Sequence, residues 1–174
     1  KVISNADSIP EVDFQISTSS LPRIFGTGIQ DIPNAIPYLR SDPKTSYVWD
    51  NFLKLSANRP NIAIACSGNT SHFKNDKNRP IKLSLLEPLL DHANVFLVQK
   101  SIEDFNDTAT LIDRMDWTIS IDTSLAHLSG ALGKPTWLLL SWSADWRWML
   151  DRSDSPWYPT MKIYRQSEIG DWHG

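Results

Sequence analysis

From residue 61 onward the apolar positions fall in short runs separated by segments of helical spacing. Residues 62–66, 95–99, 117–121 and 136–140 read as buried strands, each a compact apolar run bounded by polar or turn residues. Residues 83–90, 108–115 and 124–132 read as helices between them. In the last of these Leu125, Leu128 and Leu132 share one face, and Gly133-Lys134-Pro135 supplies the stop, with Gly just past the final turn and Pro beyond it. Upstream, residues 46–55 place Val48, Phe52 and Leu55 at i, i+4 and i+7, one face of an amphipathic helix that residues 58–60 end. Strands alternating with helices predict right-handed βαβ units and a mostly parallel sheet covered on both faces. The expected fold class is α/β, Rossmann-like.

The first part of the chain has a different grammar. Pro10, Pro22, Pro33, Pro37 and Pro43 forbid long helices there, so residues 1–45 read as an extended Pro-rich lead-in and residues 46–174 as the Rossmann-like domain. Two readings of the lead-in stay open, a linker that wraps back onto the sheet and a region displaced by truncation. Residues 13–17 alternate like a short strand. Gly26-Thr27-Gly28 is like the opening of a dinucleotide fingerprint, but no third Gly follows and Pro33 breaks the helix such a loop needs.

Composition narrows the class of protein. With 174 residues, 41% hydrophobic and 21% charged, the chain is sized for one domain or two small ones and is neither disordered, collagen-like nor a coiled coil. A net charge of −3 gives no overall attraction to nucleic acid, so an anionic ligand must be met by a local cluster. The single cysteine, Cys66, is expected as a reduced, buried strand residue. No run approaches the roughly 18 to 20 apolar residues that span a bilayer and residues 1–10 lack a signal-peptide stretch, so a cytoplasmic protein without a membrane span is expected. Eight tryptophans are present, with Trp137, Trp142, Trp146, Trp148 and Trp157 concentrated near the C-terminus, which fits either a locally aromatic core or a stacking and lid surface.

In open parallel sheets, ligands bind beyond the carboxyl ends of the strands, where unpaired amides at helix starts favour anions. Three junctions qualify. After residues 62–66 comes Ser67-Gly68-Asn69-Thr70-Ser71-His72, a small polar loop whose Gly admits close backbone approach. It runs on into Lys74, Lys77, Arg79 and Lys82 against Asp76, a local reversal of the chain's acidity that suits a phosphate or pyrophosphate; a solvated charged loop is the plainer alternative. The second junction offers Gln99 and Lys100. The third is Asp122-Thr123-Ser124-Leu125-Ala126-His127, with Asp122 or Thr123 as N-cap and His127 either a hydrogen-bonded core residue or a ligand contact. No G-x-S-x-G elbow, P-loop or H-E-x-x-H occurs. His72, His92, His127 and His173 are too scattered for a zinc cluster, no Asp-x-Asp pair stands at a strand end, and Asn75, Asp76 and Asn78 lack the Gly and Glu of a calcium loop. Metal-independent chemistry is expected.

The run IDTSLAHLSGALGKPT at residues 121–136 resembles the donor-site motif of the ADP-heptose:lipopolysaccharide heptosyltransferases, glycosyltransferase family 9. The stretches SLPRIFGT, IPNAIPYLRSDP, CSGNTSHFKNDKNRPIKLSLLEPLL, WSADWRWMLDRSDSPWYPTMKIYRQ and GDW are similar to the C-terminal half of bacterial proteins that couple tetratricopeptide repeats to a heptosyltransferase-like domain. That resemblance implies a glycosyltransferase-B architecture, two Rossmann-like halves across a cleft, of which this chain matches the C-terminal, nucleotide-sugar-binding half. It implies an inverting, metal-independent transfer from a nucleotide diphosphate sugar to a hydroxyl of a glycan, lipid-linked or protein acceptor, with no other cofactor and with a general base from the N-terminal half. Asp122, Thr123 and Ser124 would cap the helix whose amides hold the diphosphate, with His127 beside it. Ser67, Gly68 and Asn69 match the loop after the first strand, Lys74 and Arg79 its charge partners, and Lys100 the base and ribose region. Residues 142–157 would form a cleft wall with Asp145, Arg147 and Arg152, or an aromatic anchor for an irregular segment. The isolated chain is expected to bind donor without transferring it, and to form a homodimer through surface meant for the other half. Two other classes stand beside this one: a noncatalytic binding or scaffold module associated with tetratricopeptide repeats, and another enzyme of the same architecture such as a nucleotide-sugar epimerase. The donor-half reading requires the loop from Ser67 to Arg79 and the helix start at Asp122 to converge.

Overall fold

The computed structural model describes residues 11–45, 49–50, 58–68, 79–98 and 104–173. The chain divides into two compact units, residues 1–32 and 33–174. In the first, the described residues form short turns: a 3-10 turn at Thr18–Ser20, the helical turn α1 at Leu21–Ile24 with Pro22 in its first turn, and a second 3-10 turn at Ile29–Asp31. Residues 13–17 form no strand and are exposed, Phe14 at 94%. Alternation there has no partner strand to satisfy the backbone, so the pattern alone does not make a strand.

The second unit is built on a parallel sheet. Its strands are β1 (Asn61–Ala65), β2 (Asn94–Leu97), β3 (Trp117–Ile121), β4 (Thr136–Leu140) and β5 (Met161–Arg165), in spatial order β2-β1-β3-β4-β5. Every pairing is parallel, with Ile64 opposite Leu97 and Ile119, and Leu138 opposite Ile163. The expected α/β, Rossmann-like class is what the chain adopts. The edge strand β5 is absent from the sequence reading: Met161 and Ile163 are buried while Lys162 and Tyr164 are exposed, an alternation obscured by the aromatic run before it.

Two helices cover one face. α2 (Phe105–Asp113) starts three residues before the helix expected from apolar spacing, because the Asp104 carboxylate accepts from the Asp107 amide at 2.8 Å and caps it. α3 (Ser124–Ala131) buries Leu125 and Leu128, with Leu132 just beyond, against Ala65, Ala109 and Ile112. Each such leucine contributes about 2 kcal/mol by leaving water. The small side chains of Thr118 and Ser120, both fully buried, face the same side of the sheet as Ala63 and Ala65. α3 ends as its sequence foretells: Gly133 sits at φ +74°, the Lys134 amide donates to Ser129 O and the Gly133 amide to Gly130 O, the paired bonds of a Schellman stop.

The other face carries Ile62, Ile64 and Ile119 under Leu86 and Leu89. Those leucines come from Leu83–Asp91, a 3-10 helix rather than the α-helix expected over residues 83–90, since Pro88 inside it lacks the amide an α-helix needs. Further along the same face Trp117, Trp137 and Tyr164 form a ring ladder, with centroids 6.4 and 5.9 Å apart. Cys66 stands just past β1, half-buried and free, not inside the strand; burial pushes its thiol up. Most of the helix expected over residues 46–55 lies outside the described residues; Trp49 and Asp50 are helical, and Asp50 takes a hydrogen bond from Arg114 at 2.8 Å.

Residues 33–44 lie across the end of α3. The amides of Tyr38 and Leu39 donate to Ala131 O at 3.0 and 3.2 Å, and Ser41 donates to Asp113 at 2.9 Å. Tyr158, beyond the loop after β4, lies flat on Gly130: a methyl group there would sit 2.4 Å from the ring. Gly130→Ala is therefore expected to cost about 3 kcal/mol, the upper end of overpacking penalties, read as a lowered urea midpoint with unchanged slope.

Candidate functional site

The chain leaves β1 to one side of the sheet for β2 and returns on the other side for β3, so β1 and β3 are neighbours whose following segments head for opposite faces. The structure brings the loops after β1 and β3 together at the carboxyl ends of these strands. Gly68 approaches the α3 start so closely that a Cβ on it would lie 3.3 Å from Thr123 Cγ2. Ser67 is exposed beside it. The excursion beginning at Ser67 returns to its origin, since the Ile81 amide donates to Cys66 O at 3.1 Å, and this places Arg79 next to the carboxyl end of β1. Asn69 and Lys74, with His72 and Lys77, lie outside the described residues, as do Gln99 and Lys100.

At the third junction Thr123 is the N-cap of α3 by backbone, at φ −142° and ψ 171°, but its side chain does not cap. The hydroxyl is held instead by Ser120 Oγ at 3.0 Å, while Ser120 donates to Ile121 O at 2.7 Å. Asp122 does not cap either. The first-turn amides of Ser124 and Leu125 have no acceptor among the described residues; in α2 the Asp104 carboxylate takes the Asp107 amide, and the amides of Phe105 and Asn106 likewise have none. Ser124 is exposed, and Asp122 and Thr123 are half-buried around these amides.

His127 sits one turn into α3. Its ring stacks on Trp148, centroids 5.1 Å apart at 24°, and meets the edge of Tyr158 at 5.8 Å. Its Nδ1 is 3.1 Å from the Tyr158 hydroxyl and its Nε2 is 4.0 Å from Asp122 Oδ1. Tyr158 receives in turn a long hydrogen bond from the Tyr38 hydroxyl, 3.5 Å away. His127 is thus neither a closed core residue nor a free surface one: it is pinned on its inner nitrogen and open on its outer one. Trp148, Tyr158 and Tyr38 were not visible as site residues in the sequence, because each lies far from His127 along the chain and within stretches read only as aromatic or Pro-rich.

The residues 142–157 divide between two roles. Trp148 is fully buried, and Trp157 donates through Nε1 to Arg147 O at 2.9 Å, so these rings anchor the loop. Trp142 and Trp146 are 58% and 72% exposed. Arg147 lies over the Trp146 ring, 5.3 Å from its centroid, and is paired with Asp145 at 2.8 Å. Arg152 pairs with Asp154 at 2.7 Å. Among the described residues no helix is long and apolar enough to cross a membrane.

Burial holds the His127 imidazole below the ordinary histidine range; Asp122 opposes this, Arg147 adds to it and Asp145 opposes it again. A histidine in the unfolded chain titrates near about pH 6.5, so just below that pH the unfolded state binds more protons than the folded one. The stability His127 contributes is therefore present above about pH 6.5 and lost as pH falls through its depressed folded value. The urea midpoint of the protein is expected to fall between about pH 7 and 5, and His127→Gln to flatten that slope whatever it does to the midpoint at pH 7.

No protein-family model matches the chain, and no curated protein sequence matches it. Among solved structures the chain is similar to ADP-heptose LPS heptosyltransferase II of E. coli, with a TM-score of 0.53 and 16% identity over 81% of this chain and 49% of that one. The chain spans about half the length of the structure it matches. A likeness at this identity is one of fold: a five-stranded parallel, Rossmann-like α/β sheet that matches a glycosyltransferase-B neighbour.

Proposed function

We propose that this chain is the nucleotide-sugar-binding half of a metal-independent, inverting glycosyltransferase, taking the diphosphate of the donor at the carboxyl end of β1 and β3. The observation that carries the reading is the convergence of Gly68 on Thr123 beside a helix start whose first two amides have no acceptor among the described residues. A tight glycine contact lets a ligand's oxygens reach backbone amides from both loops, and the dipole of α3 favours their negative charge. Ser67 and Ser124 add hydroxyl donors, and Arg79 stands at the same edge as a cation. Asn69, Lys74 and Lys100 complete the proposed set from sequence alone.

Chemically, such a site stabilises the departing nucleoside diphosphate. As the glycosidic bond to phosphate breaks, charge accumulates on the leaving oxygen, and preorganised amides and a guanidinium meet it without reorganising. Removal of the acceptor hydroxyl's proton is a separate task, assigned in this reading to an acid of the partner half. A scaffold module associated with tetratricopeptide repeats would need neither the loop convergence nor the open helix start, which is why the donor-site reading is preferred.

Titration calorimetry of residues 1–174 with ADP, UDP, GDP and their sugars is expected to show one nucleotide bound selectively, without sugar transfer. Gly68→Val, which wedges the two loops apart at a solvent-facing edge, is expected to weaken that binding at least tenfold with the urea midpoint nearly unchanged. Absence of binding at millimolar ligand, or binding indifferent to this substitution, overturns the reading. Transfer by the chain alone overturns its assignment as one half.

A further inference from the structure

Tyr158 lies against His127 from below while Asp122 faces it from above, and the two contacts are not symmetrical. A neutral imidazole has one donor and one acceptor nitrogen, and which is which is set by its partners. A carboxylate offers only lone pairs, so with Asp122 Oδ1 4.0 Å from Nε2, a bare Nε2 would set two acceptors facing each other. Tyr158 has one proton to give. The Tyr38 hydroxyl donates to the Tyr158 oxygen, which leaves the Tyr158 proton for Nδ1 at 3.1 Å. Burial keeps that phenol protonated far above neutral pH, so the donor is permanent. Every contact around the ring agrees: Nδ1 accepts and Nε2 carries hydrogen.

We propose that Tyr158 is a positioning residue that fixes His127 as the Nε2–H tautomer, so that the site presents a neutral hydrogen-bond donor to the diphosphate of its ligand. The proposal rests on the donor-site reading above. The stack on the fully buried Trp148 fixes the plane of the ring, and turning it over within that plane would set a carbon in place of Nδ1 before the Tyr158 hydroxyl and lose their hydrogen bond, with Tyr158 itself seated on Gly130. The charged groups that face the imidazole are Asp122 from its own junction and Arg147 with Asp145 from the loop after β4. With Arg147 on that side already paired to Asp145, a neutral donor at position 127 adds a directed bond without a further charge to desolvate. Binding through His127 is then nearly constant from about pH 7 to 9, where an imidazolium-dependent site would weaken steeply.

The tautomer is read directly from imidazole nitrogen chemical shifts of ligand-free protein at pH 8, with the His127 signal identified by its absence in His127→Gln. Expected is an acceptor-type Nδ1 and a protonated Nε2. Tyr158→Phe keeps the ring on Gly130 and removes only the hydroxyl; its urea midpoint confirms that the fold persists. In that variant the Nδ1 signal is expected to move as its hydrogen bond is lost, and affinity for whichever of ADP, UDP or GDP the wild type binds is expected to fall about fivefold, the range of one positioned hydrogen bond. An Nδ1–H tautomer in the wild type, or a Tyr158→Phe variant with unchanged Nδ1 shift and affinity, overturns the proposal. An Nε2–H tautomer with no nucleotide bound at all overturns the donor-site reading and, with it, the role given to this donor.

Discussion

A parallel sheet with strand order β2-β1-β3-β4-β5 has one place where the chain must turn in opposite directions, and the remainder of this molecule is arranged around it. The crossover from β1 to β2 and the later return to β3 run on opposite faces of the sheet, and between them the loops after β1 and β3 come together where Gly68 approaches Thr123. The opposite edge shows the contrast. There the Asn61 amide is taken by Asp116 at 2.8 Å and the Asn94 side chain bridges to Arg59 O and Asn61, so the amino ends of the strands are tied off. At the carboxyl ends of β1 and β3, by contrast, the Ser124 and Leu125 amides have no acceptor among the described residues.

An open helix start has a cost, because each unpaired amide that is partly withdrawn from water lacks the bond it would otherwise make. α3 offsets this at its other end and along its buried face. Leu125, Leu128 and Leu132 leave water, the Schellman bonds satisfy the last carbonyls, and the amides of Tyr38 and Leu39 take Ala131 O. Ser129 and Thr136, both buried, satisfy each other at 2.8 Å. The helix is therefore held firmly from its middle to its C-terminus, and its N-terminus inherits that rigidity without contributing to it. That polarity is what lets a short helix keep free donors aimed in a fixed direction.

How far the sequence announces these features depends on the range over which each acts. The α3 face and its stop are local, carried by Leu125, Leu128, Leu132 and Gly133, and are legible at once. That Ser67, Gly68 and the residues 122–127 stand beyond strand ends follows from reading the strands alone, and the close approach of Gly68 to Thr123 brings them to one place. Where a local signal competes with another, the reading slips: Pro88 turns an apolar helical pattern into a 3-10 helix, and the Asp104 cap starts α2 earlier than its apolar spacing suggests. β5 escapes notice because an edge strand needs only Met161 and Ile163 on its buried side. Tyr38 and Tyr158 escape for a different reason. Their partnership spans 120 positions, and that between His127 and Tyr158 spans 31, distances at which periodicity carries no information.

The tryptophan-rich stretch shows why composition alone could not choose between core and surface, since the same loop uses its rings for both. Trp148 is buried against His127, Trp157 reaches Arg147 O, and the Arg165 guanidinium donates to Trp148 O, so the backbone between β4 and β5 is fixed at several points. Met149 adopts φ +55° in the middle of this run, a conformation a side chain tolerates only where its surroundings impose it. The rings of Trp142 and Trp146 remain exposed, although the Trp142 amide donates to Gln166 Oε1 at 3.1 Å and Trp146 O accepts from the Met149 amide at 3.0 Å. The Trp148–His127 stack joins this loop to α3 physically. Any shift of the loop after β4 that moves Trp148 must therefore move the imidazole with it or break the stack.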